Sequence, residues 1–238
     1  MSHLVLVRHG QSEWNAQKRF TGWVDIDLTE KGKGEAKKAS ELIIDQKLEI
    51  KHFFSSYQKR AVNTLEIILS NMKIDSSKIK KAWELNERHY GTLTGLNKEE
   101  MIKKLGEKKI LEFRRSWDVY PDPLSKDSPY HPLNISVYKN IPREKIPDTE
   151  SLKATYKRVV SYFQENIAPV LKNENVLISG HGNSLRSLCK FLFKIDDKLI
   201  SKLEIPTGNP LVIDFEKNLK VSNAYYLDKE RSKNLIIF

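Results

Sequence analysis

The sequence predicts a three-layer α/β sandwich on a mostly parallel sheet, with an antiparallel edge strand. Three observations predict it. Short apolar runs alternate with longer segments of helical periodicity, the pattern of strand–helix–strand units. Two of these runs, Leu4-Val5-Leu6-Val7 and Val176-Leu177-Ile178-Ser179, show little of the period-two alternation of a half-exposed strand, so they read as strands buried on both faces. Each ends in a histidine beside glycine, Arg8-His9-Gly10 in the first and Gly180-His181-Gly182-Asn183 in the second. In open α/β sheets the carboxyl ends of the strands are where ligands bind.

The remaining elements follow in chain order. After the first strand, Thr29 opens a helix over 29–46, and 52–56 reads as a second strand. A helix over 60–72 aligns Ala61, Leu65, Ile68, Leu69 and Met72 in one apolar stripe. A third strand is predicted over 79–85, then short helices over 97–117 divided at Gly106. Residues 118–148 hold six of the nine prolines and read as irregular chain. A stretch that long inside a compact domain is a functional lid or a disordered insertion, and its place directly after Arg114-Arg115 favours a lid. Residues 151–171 give the clearest helix, with Pro169 in its last turn. A fourth strand over 175–179, a helix over 184–193 and strands over 211–215 and 221–227 complete the pattern, the last two joined through Lys217-Asn218 as an antiparallel hairpin at the sheet edge. No repeat or low-complexity linker divides residues 1–238, so one domain is expected.

Composition narrows the partners. The 238 residues, 39% apolar, suffice for a single buried core. No apolar run spans a membrane. No signal-peptide pattern opens the sequence, and Cys189 is the lone cysteine, so a reducing, cytoplasmic setting is expected. The net charge of +10, from 41 basic and 31 acidic residues, favours anionic partners. Its lysines, such as Lys31, Lys33, Lys37 and Lys38, are spread over helix faces rather than packed into one aromatic-interleaved block, so nucleic acid is not the expected partner. The arginines concentrate instead near the histidine and glycine motifs, and the planar guanidinium fork suits phosphate and carboxylate. No histidine, cysteine or carboxylate spacing matches a metal site.

The run Arg8-His9-Gly10-Gln11-Ser12-Glu13-Trp14-Asn15 resembles the signature of the histidine phosphatase superfamily. The wider pattern is closer to its cofactor-dependent phosphoglycerate mutase family. Supporting segments are Phe20-Thr21-Gly22-Trp23, Lys59-Arg60-Ala61, Leu85 through Gly91, Gly95-Leu96-Asn97-Lys98, Phe113-Arg114-Arg115, Gly180-His181-Gly182-Asn183 and Ile205-Pro206-Thr207-Gly208. They stand in the family's order between residue 3 and about residue 227. The first motif marks the superfamily, whereas the run from Glu87 to Lys98 and the Arg114-Arg115 pair point to the mutase.

The resemblance implies a phosphoglycerate mutase-like fold and an isomerase that moves a phosphoryl group between 2- and 3-phosphoglycerate in glycolysis and gluconeogenesis. His9 becomes the nucleophile, since a neutral imidazole held in one tautomer is competent for phosphoryl transfer. Arg8, Arg60, Asn15 and His181 are expected to stabilise the phosphoryl oxygens. Glu87 is expected to handle the substrate hydroxyl proton; an ion pair with Arg88 is the ordinary use of such a residue. Lys98, Arg114 and Arg115 are expected at the far end of the substrate, with Thr21, Gly22, Tyr90, Gly182 and Asn183 completing the pocket. Adjacent helical residues diverge, so Arg114 and Arg115 reach one ligand only near a helix end or in a loop.

The implied primer is 2,3-bisphosphoglycerate, with no metal, and a homo-oligomer, dimer or tetramer, is expected. A histidine-type phosphatase, or a bisphosphoglycerate synthase or bisphosphatase, remains open on the same residues. A non-catalytic anion- or RNA-binding domain is the reading from another class. The chain ends in the apolar residues 235–238, where relatives carry a longer polar tail. Deleting them is expected to raise hydrolysis relative to mutase flux.

Overall fold

The structure, a computed structural model, describes residues 1–235. The expectation for residues 235–238 therefore lies almost wholly outside the described residues. Leu235 itself packs on the edge of the larger core cluster.

Six strands form one sheet in the order β3-β2-β4-β1-β5-β6. They are β1 (Ser2–Arg8), β2 (Ile50–Ser55), β3 (Ile79–Lys81), β4 (Asn175–Gly180), β5 (Leu211–Phe215) and β6 (Val221–Tyr226). Strands β1 to β4 run parallel. The late hairpin lies at the edge as expected; β5 runs against β1, and β6 outside it returns to the direction of the main set.

Alternation across the central strands builds two cores. Leu4 and Leu6 of β1, Val176 and Ile178 of β4, and Leu211 and Ile213 of β5 point to one face. There they meet α6 (Leu152–Tyr162) and α8 (Gly182–Leu192) through Leu152, Val159, Leu185 and Leu188. Val5, Val7, Leu177 and Val212 point to the other face, against Ala39 and Ile43 of α2 (Glu30–Asp45) and Leu65, Ile68 and Leu69 of α3 (Lys59–Asn71). Burial on both faces explains why the strands read as continuous apolar runs.

Helix ends follow local chemistry. Thr29 caps α2 by accepting from the Gly32 amide, and Ser151 caps α6 by accepting from Ala154. The predicted helix over 151–171 is interrupted by a π turn at Phe163–Ile167, followed by α7 (Ala168–Leu171) with Pro169 near its start. Proline offers no amide hydrogen and crowds the carbonyl four residues back, which the wider turn accommodates. Gly106 separates α4 (Lys98–Leu105) from α5 (Glu107–Arg115), as predicted. A short α1 (Glu13–Ala16), capped by Ser12, was not predicted. Helix α8 begins two residues earlier than the sequence suggests.

Two expectations need correction. The third strand stops at Lys81, because Trp83–Leu85 curl into a single 3-10 turn. That turn is held by side chains: Asn86 Oδ1 accepts from the Tyr57 amide, and Gln58 Oε1 accepts from the Glu87 amide. Residues 118–148 are also not plain irregular chain. They contain three 3-10 turns, Pro132–Asn134, Ser136–Tyr138 and Arg143–Lys145. Tyr138 is fully buried against Trp23, and its hydroxyl donates to the Trp23 carbonyl at 2.5 Å.

Among the described residues no helix is long and apolar enough to cross a membrane. Leu177 sits in the middle of the sheet with no exposed surface. Leu177→Ala is expected to lower the unfolding free energy by about 2–5 kcal/mol in a urea titration. A loss below about 1 kcal/mol would contradict this packing.

Candidate active site

The site grows from the register of β1 with β4. Arg8 pairs with Gly180, so the residues that follow each strand emerge side by side. The His9 amide donates to the Gly180 carbonyl at 3.0 Å, and the His9 and His181 ring centroids lie 5.0 Å apart. His9 Nδ1 is 2.7 Å from the Gly10 carbonyl oxygen. A carbonyl only accepts, so Nδ1 carries the hydrogen and Nε2 keeps its lone pair. Burial, then the neighbouring Arg60 and Arg8, holds the His9 pKa well below its ordinary value. The ring is therefore neutral at physiological pH.

The turn carrying His9 has no spare room. A Cβ on Gly10 would come within 2.1 Å of the Gly32 carbonyl oxygen in α2, and one on Gly32 within 2.1 Å of the Gln11 carbonyl oxygen. The Gly10 amide donates to Thr64 Oγ1, which donates in turn to the Arg60 carbonyl. Backbone packing and α3 thus set the height of the imidazole.

Arg60, in the first turn of α3, donates to the Gly22 and Val24 carbonyls at 2.8 and 2.9 Å. This ties the Thr21-Gly22 loop to the start of α3. Arg8 donates to the Ile205 carbonyl, and its Nε–H has no partner. Burial lowers the pKa of both guanidinium groups. His181 is buried; its Nε2 lies 2.7 Å from Ser56 Oγ, and its Nδ1 has no partner.

Glu87 does not form the ion pair with Arg88 that is its ordinary use. Its Oε1 accepts from the Arg88 amide at 2.7 Å and from the Asn183 amide at 3.1 Å, in the first turn of α8. A clamp behind it holds the loop. Arg158 of α6 donates to the Glu84, Asn86 and Glu87 carbonyls and pairs with both oxygens of Glu150. Burial alone would raise the Glu150 carboxyl; the Arg158 charge and the hydrogen bonds from Arg158 and the His89 amide together outweigh it and hold the pKa low. Neither Arg158 nor Glu150 was anticipated. A mid-helix arginine carries no local signal of the carbonyls it will meet.

These groups border a cavity of about 190 Å³. Arg8, His9, Asn15, Thr21, Gly22, Arg60 and Glu87 line it on one side. Tyr90, Lys98, Arg114, Arg115, Gly182 and Asn183 also line it. Of the predicted site residues only His181 is not a wall of the cavity; its ring lies edge-on to that of His9, which is. Arg114 and Arg115 are the last two residues of α5, the helix-end position their pairing requires. No residue of 118–148 lines the cavity. Five lining residues were not predicted: Arg186, Glu204, Ile205, Pro206 and Lys233. Arg186 stands three residues after Asn183 on α8, a helical spacing that was available as a signal. Among the described residues no group of three or more His, Cys, Asp or Glu is placed to hold a metal ion.

This fold and paired-histidine pocket define a class. The profile of the histidine phosphatase superfamily (branch 1) matches residues 4–130 and 125–227, and the chain belongs to that family. Within it, the chain is 60% identical over 239 residues, covering 100% of both chains, to the 2,3-bisphosphoglycerate-dependent phosphoglycerate mutase of Pelagibacter ubique. It is 47% identical to the protein of the same name from Maricaulis maris, covering 99% of this chain and 98% of that one. Among solved structures, Bacillus stearothermophilus YhfR superposes with a TM-score of 0.69 at 22% identity, covering 93% of this chain and 94% of that one. A mycobacterial glucosyl-3-phosphoglycerate phosphatase gives 0.68 at 18%, covering 95% and 97%. These structural likenesses establish the shared fold.

The Arg158–Glu150 clamp yields a test. Glu150→Gln leaves a buried guanidinium without its counter-charge and is expected to cost about 3–5 kcal/mol in unfolding free energy. It is also expected to lower kcat, because the Glu87 loop loses its anchor. Stability within about 1 kcal/mol of wild type would show that the clamp holds nothing.

Proposed function

We propose that this chain interconverts 2-phosphoglycerate and 3-phosphoglycerate through phospho-His9, in glycolysis and gluconeogenesis. One observation about the site carries the reading. Seven cationic side chains line the cavity, Arg8, Arg60, Lys98, Arg114, Arg115, Arg186 and Lys233, against two carboxylates, Glu87 and Glu204. A phosphate monoester brings about 1.5–2 negative charges at neutral pH, too few for this excess. A bisphosphorylated glycerate, with two such groups and a carboxylate, brings about 4–5. The full-length relatives named as mutases support the same reading.

The chemistry follows from the geometry. His9 Nε2 attacks phosphorus, while Arg8, Arg60, Asn15 and His181 stabilise charge on the phosphoryl oxygens. Ser56 Oγ already accepts from the Gln58 amide, so its own hydrogen is free for His181 Nε2. In the tautomer in which Ser56 donates to Nε2, His181 Nδ1 carries a hydrogen that no protein group takes. Phospho-His9 gives its phosphoryl group to the substrate hydroxyl, and Glu87 accepts the hydroxyl proton. His9 then takes the other phosphoryl group, with Glu87 returning the proton; general acid–base help of this kind contributes about 10²–10⁴-fold.

Free 2,3-bisphosphoglycerate supplies the phosphoryl group that first loads His9. The unpartnered Arg8 Nε and Thr21 Oγ1 and the charge excess fit such a ligand. Lys98, Arg114 and Arg115 would hold its far end. The buried free Cys189 is consistent with a reducing cytoplasm. A homo-oligomer, dimer or tetramer, completes the proposal on the family resemblance.

The deciding assay is 3-phosphoglycerate turnover read as 2-phosphoglycerate, with chelator, with and without 2,3-bisphosphoglycerate, for wild type and His9→Ala. Chelator-resistant, bisphosphate-stimulated isomerisation that His9→Ala abolishes is expected. Release of inorganic phosphate without isomerisation would move the protein to a phosphatase.

Lys98 adds a pH dependence. Burial, then Arg114 and Arg8, lowers its pKa to about 8. Its charge is present below that value and lost as pH rises through it. Anion binding favours the charged form, so KM for 3-phosphoglycerate is expected to be flat below about pH 8 and to climb above it. In Lys98→Arg, whose guanidinium stays charged, the climb is expected to disappear. An alkaline limb unchanged by that substitution would rule Lys98 out as its source.

A further inference from the structure

Arg186 is a cavity wall that the machinery above does not use. It lies one turn beyond Asn183 on α8 and is only 3% exposed. Its donors reach Asn183 Oδ1 at 3.0 Å, the Ile200 carbonyl at 2.6 Å and the Arg115 carbonyl at 3.3 Å. The last contact places it against the end of α5, beside the Arg114-Arg115 pair. No carboxylate pairs with it among the described residues, and its Nε–H has no partner. Arg88 nearby is fully buried, also with Nε and Nη1 unpartnered. Burial, with the Arg115 and Arg88 charges, pushes the Arg186 pKa down to about 9. Buried charge without a counter-ion is costly, and an anionic occupant of the cavity would offset that cost.

Arg186 also settles the polarity of its neighbours. A guanidinium only donates, so Asn183 presents Oδ1 to Arg186 and its amino group to the Tyr90 hydroxyl oxygen, at 2.9 Å. Tyr90 therefore receives a hydrogen from Asn183 and keeps its own for another acceptor. Arg186 Nε–H and Tyr90 O–H are two unspent donors on residues that line the cavity.

We propose that Arg186 is a further specificity-determining residue. With the Tyr90 hydroxyl that it orients through Asn183, it binds the anionic group of the substrate remote from His9. The pocket thereby favours ligands with two separated anionic groups over a single phosphate. This rests on the phosphoglycerate reading above and assigns that site a residue beyond Lys98, Arg114 and Arg115.

The test compares the full-length wild type with Arg186→Gln and Arg186→Lys by calorimetric titration with 3-phosphoglycerate and, separately, with inorganic phosphate. The quantity read is the ratio of the two dissociation constants. Loss of one charge-assisted contact is expected to cut the preference for 3-phosphoglycerate by about 10–100-fold in Arg186→Gln, with phosphate affinity within about twofold of wild type. Arg186→Lys keeps the charge without the planar fork and is expected to lose about 3–10-fold. A ratio unchanged in Arg186→Gln, or equal weakening of both ligands as a merely structural role predicts, overturns the proposal. If Arg186→Gln does not fold, Arg186→Lys decides by the same criterion. Mutase turnover of the wild type, run alongside, keeps the two failures apart. Its absence sinks the phosphoglycerate reading, whereas an active wild type with an unchanged ratio sinks Arg186 alone.

Discussion

Parallel pairing of β1 with β4, in register from Leu4–Val176 to Arg8–Gly180, is the constraint on which the rest of the site depends. It brings two chain segments about 170 residues apart to the carboxyl end of the central strands and delivers one histidine from each. The strands hold that register because both of their faces are buried, and a slip of one residue would turn every apolar side chain to the wrong core. Where the pairing ends, the backbone leaves the sheet at a glycine packed directly against α2. Sheet register thus sets which residues meet, and the turn sets how far the imidazole projects.

Around that end of the sheet the protein solves an electrostatic problem. A pocket for a highly charged anion must hold many cations before the anion arrives. Here they are tethered largely through backbone carbonyls rather than carboxylates: Arg60 to Gly22 and Val24, Arg8 to Ile205, Arg186 to Ile200 and Arg115. Carbonyl partners orient a guanidinium without neutralising it, so its charge stays available to the ligand. Arg115 is the partial exception, shared with Glu204 at the rim. Of the two carboxylates that line the cavity, Glu87 is the buried one, and it is held by two backbone amides rather than by a cation. Such sites give up stability for function, and the fully paired Arg158–Glu150 clamp lies just behind to keep that cost local.

Much of this was legible in the residues. The apolar runs marked β1 and β4, the stripe from Ala61 to Met72 marked α3, and Gly106 marked the break between α4 and α5. The glycine-flanked histidines marked the end of the sheet that carries the site. The third strand read too long because residues 79–85 have strand-like composition, while Asn86 and Gln58 bond the backbone into a turn. The proline-rich stretch looked like a roof over the pocket. Buried Tyr138 ties it to the Trp23 carbonyl, far away in sequence, while buried His131 bonds Asp148 within the stretch itself. Arg158 and Lys233 stayed hidden because nothing in a helix or a tail announces which distant group it will touch, whereas the helical spacing of Arg186 from Asn183 was a signal left unread.

By itself, the sequence determined the order of most elements, most of the residues that meet at the cavity, and the family they resemble. Those properties reside in local periodicity and in short runs of fixed chemistry. Only the tertiary structure decided which nitrogen of His9 is free, which cations lack counter-charges, and which wall of the cavity each arginine occupies. Apart from the His9 bond to its neighbour Gly10, these depend on contacts and burial among residues that are mostly tens to hundreds of positions apart. Such distances are specified only when the sheet closes and the helices pack onto it.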